Sequence, residues 1–173
     1  MKKIISILLC FAMIFSLGMM SVTAADATVT VDGATSGWTW DETSKTLTLN
    51  NFSTDDGYIN IVGSDVTINL IGTNTLKSFF HGINSSASIT FTGSGNLTVN
   101  SEQCSIWTEG NNANVTFNGT GTITLKSDYR EAMFVDGNIT FNSGTVDATG
   151  ATGYPAVVAY GVTKEDALNN ISI

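Results

Sequence analysis

A single proline, two cysteines, one histidine and seven basic residues are spread over 173 positions, and each scarcity removes a class of protein. Two cysteines cannot staple a disulfide scaffold, and with one histidine they cannot make a Cys/His zinc site. Seven Lys and Arg against 15 Asp and Glu give a formal net charge of −8, which excludes a chain that tracks a phosphate backbone. Charged residues are only 13% of the chain and hydrophobic ones 42%, so disorder is excluded as well. There is no nucleophile elbow and no HExxH motif. His81 precedes Gly82 in a loop, where a lone histidine is most often an ordinary turn residue.

Long hydrophobic runs are also missing, except for Ile4 to Met20, which follows Lys2 and Lys3 and leads into Ser21-Val22-Thr23-Ala24-Ala25. This is the layout of a secretory signal peptide over residues 1–24, with cleavage after Ala24, and the apolar run is short for a retained span. The expected mature chain begins at Ala25, is secreted or associated with the cell surface, and has no membrane contact after cleavage. Losing Lys2 and Lys3 leaves 5 basic residues against 15 acidic ones, a net charge of about −10. Cys10 departs with the leader. Cys104 remains as a lone thiol, read as a small buried hydrophobe.

What the chain does have is 25 threonines and 16 asparagines, alternating with apolar residues over short runs. Period two means half-buried strands, seen in Val66-Thr67-Ile68-Asn69-Leu70, Ile89-Thr90-Phe91, Val115-Thr116-Phe117 and Ile139-Thr140-Phe141. Each run is followed by a glycine-containing turn and a second strand, and then by a short apolar run: Gly82-Ile83, Ser105-Ile106-Trp107, Ala132-Met133-Phe134-Val135 and Ala156-Val157-Val158. Taking Leu76, Leu97, Ile123 and Val146 as equivalent gives steps of 21, 26 and 23 residues. Repeating three-part units of this length predict an all-β fold, a right-handed parallel β-helix of roughly four coils; a β-sandwich is the rival.

The segment from residue 25 to 52 departs from the repeat. Thr28 to Val31, Trp38-Thr39-Trp40 and Thr46 to Leu49 read as an N-terminal β-hairpin cap, with Trp38 and Trp40 packed on the core, and the coils occupy 53–173. Near the other end, Thr163-Lys164-Glu165-Asp166 reads as a capping box opening a short helical insertion, and Asn170-Ile171-Ser172-Ile173 repeats the opening of a coil. That end is expected to be uncapped and to continue into further coils or self-association.

Stacked coils place equivalent residues about 4.8 Å apart, so the repeat converts into predicted columns. Glu109 falls over Asp136 and Glu102 over Asp128, and such carboxylate columns in oxygen-rich turns suit calcium; ordinary solvated corners are the plain alternative. Thr67, Thr90, Thr116 and Thr140 form a column on the outside of the first strand, with Asn118 among the amides beside it. That flat hydroxyl and amide face could hydrogen-bond a polysaccharide, with Trp107 or Tyr129 stacking on sugar rings, or could simply stabilise the sheet.

Trp38-Thr39-Trp40-Asp41, Lys45 to Asn51, Ile68 to Leu76 and the later Ile-Thr-Phe repeats resemble those of secreted clostridial carbohydrate-binding β-helix proteins, over nearly all of the mature chain. The resemblance implies a polysaccharide-lyase-like solenoid that binds acidic plant cell-wall glycans and calcium. Residues and resemblance together give the expectation of a non-catalytic polysaccharide-binding protein with no nucleic-acid partner. Two alternatives remain, a calcium-dependent polysaccharide lyase using Arg130 and a structural adhesin module without a sugar ligand.

Overall fold

The computed structural model describes residues 26–110 and 112–160, and the backbone of Ile171 and Ser172. The leader and the insertion opened at Thr163 lie outside the described residues. The alternating apolar pattern forms a parallel β-helix of five turns, each contributing one strand to each of three sheets. Turn one is β3 (Thr46–Asn50), β4 (Ser53–Thr54) and β5 (Ile59–Val62); turn two is β6 (Val66–Ile71), β7 (Thr73–Ser78) and β8 (Ile83–Ser85). Turn three is β9 (Ile89–Gly93), β10 (Asn96–Ser101) and β11 (Ile106–Thr108); turn four is β12 (Val115–Phe117), β13 (Thr122–Ser127) and β14 (Met133–Val135). Turn five is β15 (Ile139–Phe141), β16 (Thr145–Thr149) and β17 (Val157–Ala159), and β18 (Ile171–Ser172) pairs in parallel with β15.

Before these turns, β1 (Thr28–Val31) runs antiparallel to β5 and β2 (Trp38–Asp41) antiparallel to β3. These two strands lie in different sheets and pair with the first turn rather than with each other, so each closes one sheet at this end, and Trp38 and Trp40 are half-buried against the core. The expected count of roughly four coils is one too few. Strand β3, read as part of the cap, pairs in parallel with β6 and buries Leu47 and Leu49 completely, so it opens the first turn.

Inside, the strands stack like on like. Ile68, Phe91, Phe117 and Phe141 occupy one register position, and the rings of Phe91, Phe117 and Phe141 lie 5.2 and 5.1 Å apart, each pair within 5° of parallel. The corners pack as tightly: a Cβ on Gly121 would collide with the Gly95 carbonyl oxygen, so that corner accepts no side chain without moving backbone.

One expected equivalence fails. Leu76 stacks on Val99, and Leu97 stacks on Asn74, so the first step is 23 residues and not 21. Asn74 points inward and is fully buried. Its Oδ1 accepts from the Phe52 N–H (3.0 Å), and its Nδ2 donates to the carbonyls of Ile71 (3.2 Å) and Asn96 (2.9 Å). A buried amide is acceptable here because its hydrogen-bonding capacity is met by backbone of three successive turns.

Candidate functional site

The third-sheet strands of turns two to four are three residues long, so each sends two side chains in and one out. Ile59, Ile83, Ile106, Met133 and Val157 share the inward position before the outward one; Asn60, Asn84, Trp107, Phe134 and Val158 share the outward position. Two kinds of ladder result. Asn84 Nδ2 donates to Asn60 Oδ1 at 3.0 Å, and Trp107 stacks on Phe134 with centroids 4.3 Å apart and rings 12° from parallel.

The turns leading into these strands extend the aromatic ladder. His81 stacks on Trp107 at 4.9 Å, Phe80 sets an edge on His81 at 4.3 Å, Tyr160 leans on Phe134 at 5.2 Å, and the Arg130 guanidinium lies 5.3 Å from the Trp107 ring centre. By the same register His81, Cys104 and Glu131 hold equivalent places in successive turns.

Their chemistry is quiet. His81 Nδ1 accepts the Cys104 backbone N–H at 3.2 Å, which leaves Nε2–H as the donor of a neutral ring. Burial holds the imidazole below its ordinary pKa, the nearby Arg130 charge pushes the same way, and Glu109 opposes it. Cys104 is fully buried, and burial, with the Glu131 carboxylate 3.9 Å from its sulfur, pushes the thiol up to about 12. Such a thiol supplies no thiolate nucleophile near neutral pH.

Where the aromatic ladder gives way to the amide ladder, the surface opens into a cavity of about 160 Å³ lined by Tyr58, Asn60, Phe80, His81 and Asn84. Two aromatic side chains stand beside two amides and an imidazole. Asn84 Oδ1 is buried and finds no hydrogen-bond partner among the described residues. A buried acceptor without a donor costs roughly 1–3 kcal/mol.

Thr67, Thr90, Thr116 and Thr140 do stack in register on the outer face of the first sheet, and Asn142 Nδ2 donates to Asn118 Oδ1 at 2.6 Å beside them. Trp107 and Tyr129 do not join that face. Trp107 lies on the third sheet with its faces flanked by His81 and Phe134, and Tyr129, 60% exposed, sits in the turn between β13 and β14. The reason is topological: residues that follow the second strand of a coil belong to another side of the solenoid.

Glu102 and Asp128 do fall in equivalent places and line one surface depression with Asp55, Lys77 and Phe79. The Lys126 ammonium is 3.4 Å from Asp128 and Lys77 is 2.8 Å from Asp55, so cationic side chains already occupy the neighbourhood. Glu109 accepts from Trp107 Nε1–H at 3.3 Å, and the Asp136 backbone N–H donates to Thr108 Oγ1 at 3.0 Å. Among the described residues no three His, Cys, Asp or Glu side chains converge as a metal-holding group.

Tyr58, Asn60, Phe80 and Asn84 went unnoticed in the sequence. The available signal was the repeat itself, since Asn60 and Asn84 hold the slot that Trp107 and Phe134 fill later. No family model, curated protein or solved structure matches the chain. Among the described residues no helix is long and apolar enough to cross a membrane.

Proposed function

We propose that this protein is a secreted, non-catalytic polysaccharide-binding solenoid, acting outside the cell or at its surface, whose ligand site is the third-sheet cavity. The observation that carries the reading is the convergence of Tyr58, Phe80, Asn60, Asn84 and His81 on one concave surface. Aromatic walls with a few well-placed polar groups are what a sugar requires, because its ring carries apolar C–H faces and polar hydroxyl edges.

The ligand is neutral. Lys45, Lys77, Lys126 and Arg130 each lie within 3.4 Å of an acidic side chain, which leaves no unpaired basic side chain among the described residues to meet a uronate. The same pairing weakens the lyase alternative, since Arg130 is engaged by Glu131 at 3.4 Å. A scaffold without a sugar ligand draws support from the aromatic ladder, whose ring faces are largely spent on one another.

Calorimetric titration with neutral β-glucan oligosaccharides, acetylated oligosaccharides and oligogalacturonates tests the reading. Binding of a neutral sugar, weakened about tenfold or more by Tyr58→Ala and unaffected by Thr116→Ala, is the expected result. Absence of binding would leave the scaffold as the better account, and equal binding by the wild type and Tyr58→Ala would move the sugar site away from this cavity.

A further inference from the structure

The aromatic side chains that face solvent are gathered on one edge of the molecule. Among the described residues every exposed Phe, Tyr or Trp except Tyr160 lies in the corner that leads from the second sheet into the third. Tyr58 comes from turn one, Phe79 and Phe80 from turn two, Tyr129 from turn four and Tyr154 from turn five. Turn three contributes the half-buried Glu102 and Gln103 there, so a polar station interrupts the row.

Backbone hydrogen bonds tie this corner together from turn to turn. The Gly57 N–H donates to the Lys77 carbonyl (2.9 Å), Gln103 to Phe80 (3.1 Å), Tyr129 to Glu102 (2.9 Å) and Ala151 to Arg130 (2.8 Å). The aromatic residues are thus held in order along the solenoid axis before a ligand arrives, which lowers the ordering cost of binding. At about 4.8 Å per turn the row from Tyr58 to Tyr154 covers about 19 Å, the length of about four sugar residues in an extended chain. The cavity between Tyr58 and Phe80 is one end of the row.

Charge selects the occupant. The loops 55–58, 79–82, 102–105, 128–132 and 150–156 that build this corner hold Asp55, Asp56, Glu102, Asp128 and Glu131 against Arg130 alone. A second copy of the chain would bring the same excess of negative charge against it, and an acidic glycan would be repelled likewise. An uncharged chain of pyranose rings meets no such repulsion: its C–H faces suit the Tyr and Phe rings, and its hydroxyls suit the tyrosine hydroxyls and the Glu102 and Gln103 station. Resting on the saccharide-binding reading above, we propose that the ligand is an uncharged polysaccharide with an extended β-1,4-linked backbone, lying parallel to the solenoid axis along this corner. Tyr129 and Tyr154 are then specificity-determining residues for chain length, remote from the cavity that holds the first sugars. A curled backbone, such as that of an α-1,4-glucan, bends away from a straight row.

The test titrates the purified protein with the di-, tetra- and hexasaccharides of β-1,4-glucan and β-1,4-mannan, and with maltohexaose. For at least one β-1,4 series, affinity should rise about tenfold or more from di- to tetrasaccharide and little further to the hexasaccharide, with maltohexaose bound far more weakly. Tyr129→Ala and Tyr154→Ala should each weaken the tetrasaccharide by about three- to tenfold and leave the disaccharide unchanged. Thermal melts check that these exposed positions leave the fold intact. Disaccharide binding as tight as that of the tetrasaccharide would confine the sugar to the cavity, overturning the row and leaving the saccharide reading in place. Equal binding of maltohexaose would overturn the extended backbone, and full tetrasaccharide affinity in both tyrosine variants would overturn the corner as its path. A dimer in sedimentation that Tyr129→Ala disperses would assign the corner to a second copy and overturn the proposal. Absence of binding by every sugar would overturn the row and remove these sugars from the broader reading.

Discussion

Two aromatic stacks run along this solenoid, one inside and one outside, and the same backbone register builds both. The inner one, Phe91–Phe117–Phe141, repeats at 5.2 and 5.1 Å with rings 5° from parallel. The outer one, His81–Trp107–Phe134–Tyr160, is less regular, with spacings from 4.3 to 5.2 Å and tilts from 12° to 41°. Inside, neighbouring aliphatic columns enclose the rings; outside, the ring edges meet solvent, and the column changes chemistry when Asn84 takes the slot that Trp107 fills one turn later. Register alone stacks side chains. Whether a stack stabilises the fold or borders a binding surface depends on what covers its edges.

The strongest way to break this comparison is to truncate both stacks at matched positions. Phe117 is 1% exposed with a ring on each face, so Phe117→Ala should cost about 3–5 kcal/mol of unfolding free energy, measured by urea denaturation. Next comes Asn74→Leu, which strands the Phe52 N–H in the interior, removes one donor from each of the Ile71 and Asn96 carbonyls, and should cost about 2–3 kcal/mol. Phe134→Ala removes a ring whose edge is already wet and should cost only about 1–1.5 kcal/mol. Equal losses for Phe117→Ala and Phe134→Ala would show that the outer ladder is a second core, equivalent to the inner stack.

Acid sharpens the comparison, because only the outer stack contains a titratable ring. The folded state holds His81 below its ordinary pKa, so the unfolded chain binds the proton more readily. Stability contributed by the neutral ring is therefore full above about pH 6.5 and declines as pH falls through that value towards the lower folded-state pKa. Asp41, held low chiefly by the Ser44 N–H, and Asp55, held low by Lys77, act in a separate window near and below their ordinary pKa of 3.8. Melting temperatures between pH 7.5 and 5 should thus fall in the wild type and stay flatter in His81→Gln. An identical slope in both proteins would take His81 out of the account.

How much of this was legible depends on strand length. The first-sheet strands of turns one to three run to five or six residues, long enough for period two to show, and the threonine column read from the sequence is the column in the fold. The second sheet was legible except at Asn74, where a polar residue faces inward and matching leucine to leucine slips the register by two. Such a slip keeps the same face, so the core assignment of Leu76 and Leu97 survived it. Most third-sheet strands have three residues, and their shared outward slot holds Asn, Asn, Trp, Phe and Val, which have no common chemistry to align. Tyr58 and Phe80 come from different turns, 22 residues apart, and only the stacking of coils makes them neighbours.

The smallest effect is the one that separates the two candidate faces. Thr116 lies in the middle of the first-sheet column, between Thr90 and Thr140, half-buried and pointing outward. Thr116→Val keeps the β-branched shape that a strand favours and removes one hydroxyl from a polar face. Stability should move by no more than about 0.5 kcal/mol, and saccharide affinity should stay within the error of the titration. The two measurements are informative together because they fail in different directions. A large loss of stability would mean that the hydroxyl column holds the sheet together, whereas a loss of sugar binding at unchanged stability would put the ligand on the first face. Either result would contradict the assignment of the Thr column to surface structure and of the Asn60–Asn84 pair to recognition.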